Sequence, residues 1–134
     1  MNKIRIACMA SILVTSIVQA SVPCDGFEIK IQNTLADSLV ITKTELTGAN
    51  LEPNGLQKID GYSEATFTVN GSTAGVPMEG HLTLRTLSLP VKTVRIRFNL
   101  DNRVLVCEHS NDASDGDLPI SHTRLPGKIT YTIG

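Results

Sequence analysis

The chain is 134 residues long, one domain's worth, with 41% hydrophobic residues, 19% charged residues and a formal charge of −1. That balance excludes a disordered polyelectrolyte and supplies no long-range pull on nucleic acid. Three Phe, two Tyr and no Trp argue against the aromatic platforms of sugar-binding, single-strand nucleic-acid and membrane-interface sites.

Residues 1–20 read as a targeting segment. Lys3 and Arg5 form a short positive region, and Ile6 to Val18 is a mostly apolar run without a charge. Val18-Gln19-Ala20 then sets modest and small residues before Ser21, the pattern of a cleaved secretory signal peptide. The run of about 13 residues is short of the roughly 20 that span a bilayer as a helix. A lipoprotein is rejected because Pro23 precedes Cys24, where a small residue is required. Cleavage leaves a single domain, residues 21–134, with a net charge of −3 and two cysteines, Cys24 and Cys107. An even pair in an exported chain reads as a disulfide, with two free thiols as the alternative.

Along the mature chain, alternation replaces helical spacing. Phe27, Ile29 and Ile31 alternate with Glu28, Lys30 and Gln32. Leu39 to Leu46 is β-branched without clean parity, which suits burial on both faces or a bulge. Thr47 to Asp60 reads as a long loop that includes Leu51 and Asn54. Gly61-Tyr62-Ser63-Glu64-Ala65 only superficially approaches a nucleophile elbow, because a strand follows it and not a helix. Ala65, Phe67 and Val69 alternate next, and Asn70 to Gly80 reads as a second loop, with Val76 and Met78. These two loops are the candidate binding edge, since loops on a rigid scaffold usually carry recognition.

Leu82 and Leu84 alternate with Thr83 and Arg85, and Val94, Ile96, Phe98 and Leu100 with Arg95, Arg97 and Asn99. From Ser21 to Gly80 there are eight acids and three bases, while His81 to Arg103 holds five bases and one acid. Arg85, Arg95, Arg97 and Arg103 are therefore a candidate face for an anionic ligand or an acidic partner. Asp101-Asn102 reads as a two-residue hairpin turn, because both residues tolerate positive φ. That register pairs Phe98 with Leu105, Ile96 with Cys107 and Arg95 with Glu108. It also turns Cys107 into the core. The segment His109 to Pro119 reads as a solvated acidic loop, with Asp112, Asp115 and Asp117 as a weak calcium candidate. His81, His109 and His122 are widely spaced and carry no metal-binding motif. Ile129, Tyr131 and Ile133 close the chain on a last alternating strand.

Seven or eight short strands punctuated by Gly, Pro, Asn and Asp indicate an all-β antiparallel sandwich with one disulfide. Cys24 to Cys107 encloses most of the domain, and the bridge is expected to pin the first strand against the Arg-rich hairpin.

The targeting segment, Cys24, the Phe27–Asn33 strand, the Gly48–Ile59 loop and the Arg-rich strand near Cys107 resemble small exported β-sandwich proteins of Gram-negative bacteria. In particular they resemble type II secretion substrates of Legionella-like pathogens. The resemblance implies release outside the cell or into the periplasm, a virulence-associated role towards a host or envelope partner, and no catalytic residues. The strand end Ile31-Gln32-Asn33 is also similar to that of aegerolysin- and actinoporin-type lipid-binding sandwiches. Those families are aromatic-rich and this chain is not, which disfavours membrane insertion.

The expected function is a non-enzymatic, monomeric binding domain that needs no cofactor. A lipid- or membrane-binding sandwich is the alternative. A fimbria-like subunit, suggested by the alternating strand Lys128 to Gly134, is the third reading. Intact-mass analysis of exported protein should give a chain beginning at Ser21 and two mass units lighter than its fully reduced form.

Overall fold

Period-two burial decides the architecture. Each strongly alternating strand has one apolar face, and two such sheets bury those faces only by stacking. The computed structural model describes residues 22–134. The targeting segment read at residues 1–20 lies outside the described residues. Ten strands follow in order: β1 Glu28–Asn33, β2 Leu39–Thr47, β3 Asn50–Glu52, β4 Gln57–Ile59, β5 Glu64–Asn70, β6 Met78–Thr86, β7 Thr93–Asn102, β8 Cys107–Gly116, β9 Ile120–Leu125 and β10 Lys128–Ile133. They form two five-stranded sheets, ordered β3-β5-β1-β10-β9 and β4-β2-β6-β7-β8. Neighbouring strands pair antiparallel except β1 and β10, which run parallel.

The core lies between the sheets. Ile29, Ile31, Phe67, Ile129 and Tyr131 from the first sheet meet Ile41, Leu82, Leu84, Ile96 and Phe98 from the second. Each such side chain contributes about 1.5–3 kcal/mol relative to exposure. Gly80 on β6 makes room for Phe98. A Cβ there would stand 2.2 Å from the Phe98 ring. At the far end of the sandwich, buried Asn33 organises the loops. Its amide donates to the carbonyls of Asp37 and Asp60, and its Oδ1 accepts from the Leu35 amide.

Apart from Phe27, one residue ahead of β1, the alternating runs at 27–31, 65–69, 82–85, 94–100 and 129–133 lie in strands, and β2 carries a bulge between Ile41 and Lys43. The count is ten strands, not seven or eight. The expected long loop 47–60 contains β3 and β4, and the expected acidic loop 109–119 is mostly β8. Leu51 and Met78, expected at loop tips, are core residues at 5% and 1% exposure. Leu51 sits opposite Val69 on β5, and Met78 opposite Leu100 on β7.

The hairpin register also differs from expectation. Asp101 and Asn102 do not turn but continue β7, and the turn is Arg103–Val106, closed by the Arg103 amide donating to the Val106 carbonyl at 3.0 Å. Asn102 therefore pairs with Cys107, Leu100 with His109 and Arg95 with Asp115. The Asn102 side chain explains why the strand continues. Its Oδ1 accepts from the Cys24 amide at 2.7 Å and its Nδ2 donates to Ser72 Oγ at 3.1 Å. Those bonds tie the end of β7 to the N-terminal segment and the β5–β6 loop. Leu105, expected in the core, is one of the most exposed residues.

The Cys24–Cys107 disulfide is present, with 4.6 Å between Cα atoms and a sequence separation of 83. It fastens the segment before β1 to the start of β8, joining the two sheets. Cys24 is buried, while Cys107 packs partly buried against the core. A closed loop of this length stabilises by roughly 4–5 kcal/mol in the chain-entropy model. Urea denaturation with and without reductant should show a loss of about 2–5 kcal/mol on reduction, and Cys24→Ser with Cys107→Ser should reproduce it.

Candidate functional site

One edge of the sandwich has no backbone pairing between its sheets. There β8 ends one sheet and β9 ends the other, and a polar ring of side chains fills the seam. His109 and Asp112 come from β8, His122 and Arg124 from β9, and Tyr131 from β10. Asn111, at φ 53°, interrupts the alternation of β8 beside the register shift. That irregularity accompanies the inward placement of both His109 and Asp112.

The hydrogen bonds run from Arg124, which only donates, to Asp112, which only accepts, by two arms. Arg124 Nε donates to His109 Nδ1 at 3.1 Å. His109 must therefore carry its proton on Nε2, which donates to Tyr131 Oη at 2.8 Å. Tyr131 donates to Asp112 Oδ1 at 2.6 Å, and Arg124 Nη2 closes the circuit on Asp112 Oδ2. His122 Nε2 stands 3.4 Å from the same carboxylate oxygen. The rings of Phe27 and Phe98 both stack against His109, with centroids 6.0 and 5.5 Å from its own.

The His109 side chain is 1% exposed. Burial pulls its pKa down to about 4. The Asp112 carboxylate opposes that pull, while Arg124 and His122 add to it. The Tyr131 hydroxyl is pushed above its ordinary range, first by burial and then by its bond to Asp112. The ring is thus built around a neutral imidazole and a neutral phenol, with Asp112 and Arg124 as its ion pair.

Beside the ring opens a cleft of about 530 Å³. The β7–β8 turn (Leu105, Val106) forms one wall and the β9–β10 turn (Leu125, Pro126) the other. Phe27, His109 and Arg124 also line it. Val104, Leu105 and Val106 are 80%, 85% and 59% exposed. Three consecutive exposed apolar residues at a hairpin tip contribute nothing to the core, and such runs are a mark of function.

No protein-family model matches the chain, and no curated protein matches it. Arg85, Arg95 and Arg97 do share the outer face of the second sheet, where Arg95 pairs with Asp115 at 3.1 Å. Arg103 does not join them. It sits in the β7–β8 turn and pairs with Glu108 and Asp101. Asn54 and Val76 lie outside the core, unlike Leu51 and Met78.

The calcium candidate is dispersed along a strand. Asp112 points into the seam, Asp115 pairs with Arg95 on the outer face, and Asp117 accepts from the Thr93 amide. Among the described residues no group of His, Cys, Asp and Glu is arranged to hold a metal ion.

The ring itself was missed in the sequence, although one signal points to half of it. A two-residue Pro126-Gly127 turn pairs Arg124 with Ile129 and His122 with Tyr131, so both polar residues share the inward face of Ile129 and Tyr131.

Unfolded, His109 titrates near 6.5; folded, it titrates near 4. Between these values the unfolded chain binds the extra proton, so stability falls as pH is lowered through that window. The change is on the order of 3 kcal/mol. Urea unfolding at pH 7 and pH 4.5 should show this loss in the wild-type protein and a markedly smaller one in His109→Phe.

Proposed function

We propose that the chain is an exported, non-enzymatic recognition domain that takes a partner at the disulfide end of its sandwich. The observation that carries this reading is the exposed Val104-Leu105-Val106 tip beside an apolar cleft. The disulfide supports the exported setting, because such bridges persist in oxidising compartments. The signal-peptide pattern of residues 1–20 supports it independently. The resemblance to small secreted sandwiches makes a host or envelope protein of a Gram-negative bacterium the proposed partner.

The opposite end is the weaker candidate. Leu89 is exposed there beside a cleft of about 340 Å³. That cleft is smaller and is lined by Asp37, Thr86, Ser88 and Lys92 along with its apolar residues. The disulfide end combines the larger volume with a floor fixed by Phe27 and the polar ring. A rigid floor under apolar walls is the usual anatomy of a binding site. The last strand does not support fibre assembly, because β10 is already paired on both sides, by β1 and β9.

The test is a binding assay with the oxidised domain, residues 21–134, immobilised against host and envelope extracts. Leu105→Asp should weaken capture of any partner found at least tenfold and leave the melting temperature unchanged, since the residue packs against nothing in the free protein. The pair Arg95→Glu with Arg97→Glu should leave capture intact. Loss with the arginine variants alone would move the site to the sheet face. Leu105-dependent binding to lipid vesicles without any protein partner would favour the membrane reading instead.

A further inference from the structure

The ring at the seam accommodates one protonation state only. His109 Nδ1 accepts from Arg124 Nε, so a proton arriving at Nδ1 meets an N–H that cannot be given up. Two donors then face each other, and two cations stand in contact. Arg124 is the member free to leave, because its side chain is 47% exposed while that of His109 is 1% exposed.

The groups facing the imidazole are few. β8 brings Asp112, β9 brings His122 and Arg124, and β10 brings Tyr131. The segment before β1 and β7 bring only the uncharged rings of Phe27 and Phe98. Glu108, the neighbouring acid on β8, is held on the turn by Arg103. Asp112 is therefore the one carboxylate at hand for a charged His109, already 3.2 Å from its Nε2. Protonation exchanges the cation beside Asp112, with imidazolium replacing guanidinium.

Arg124, His109, Leu125 and Pro126 all line the apolar cleft. Arg124 ties the β9–β10 wall of that cleft to His109 and Asp112 on β8, so its release removes those two bonds. We propose that the ring is an acid-operated latch: proton uptake by His109 at Nδ1 expels Arg124, frees the β9–β10 turn and opens the cleft to its partner in an acidified compartment. The latch rests on the reading of the cleft as the recognition site. Burial of the imidazole lowers its titration and so places the opening below neutral pH.

The test uses the oxidised domain and two probes. Nuclear magnetic resonance follows the His109 ring, the Arg124 Nε–H signal and the amides of residues 124–127 from pH 7 to pH 4. The apolar dye anilinonaphthalene sulfonate reports the cleft, and far- and near-ultraviolet circular dichroism reports folding. As His109 gains its proton, the Arg124 signal should vanish and the amides of residues 124–127 should shift with the same midpoint. Dye binding should rise several-fold while both dichroism spectra hold. Arg124→Met should bind dye at pH 7 to the level of acidified wild type, and His109→Phe should show no rise through the window.

The proposal is overturned if the Arg124 signal survives protonation of His109. It also fails if dye binding stays flat in wild type, or rises equally in His109→Phe, or rises only as the dichroism collapses. If neither variant folds, the wild-type titration decides alone. Neither probe needs the natural partner, so loss of the recognition reading in the Leu105→Asp assay is a separate outcome from failure of the latch.

Discussion

A two-sheet sandwich leaves the edges of its sheets facing each other without backbone hydrogen bonds, and this chain solves the problem differently on its two sides. On one side the polypeptide itself crosses between sheets, from β2 through β3 to β4. On the other the chain crosses once, through residues 117–119 from β8 to β9; those strands are not paired with each other, and away from that crossing side chains hold them. The disulfide fastens one end of that seam and the His109–Tyr131–Asp112–Arg124 ring fastens its middle. The register of β7 with β8, the position of Cys107 and the walls of the cleft all follow from how the seam is closed.

A polar closure is an expensive choice in a core. An apolar plug of similar shape would leave no donor or acceptor to satisfy, whereas deleting one member of a satisfied ring strands its neighbours at about 1–3 kcal/mol each. The ring meets this demand by complete pairing. Every polar atom of His109 has a partner, and both Asp112 oxygens accept. What the arrangement has that an apolar plug lacks is dependence on a proton: His109 Nδ1 can accept from Arg124 only while the imidazole is neutral.

The parts of the fold legible in the sequence are those with one wet face and one dry face. β1, β5, β6, β7 and β10 each bury alternate side chains, and each shows in the sequence as alternation. β8 fully buries only His109, and no residue of β9 is fully buried. Period-two patterning therefore vanishes from both strands, and β8, full of acids and short polar residues, reads as a loop. β3 and β4 are three residues each, too short for any periodicity. The hairpin failed for a related reason. Asp101 and Asn102 are good turn formers in isolation, but Asn102 is drawn into tertiary bonds with Cys24 and Ser72. The disulfide was legible because cysteine count needs no register.

The same blindness explains why the site was hidden. Its five members come from the three strands β8, β9 and β10, two of which carry no apolar pattern, and their meeting depends on a bulge at Asn111. Polar residues at such a place look like surface. The apolar residues that truly are surface, Val104 to Val106, look like core, and the expected register buried Leu105 for that reason. Both registers set His109 opposite a buried residue of β7, Val94 in the expected one and Leu100 in the observed one. Moving the turn from Asp101-Asn102 to Arg103–Val106 changes the place of Leu105, which leaves the strand for the exposed turn. An inward histidine and an outward leucine both run against burial preference, and both line one cleft. Selection for stability alone has no reason to keep either. Their meeting at the end of the seam supports the proposal that this end, and not the arginine-bearing sheet face, is the recognition surface.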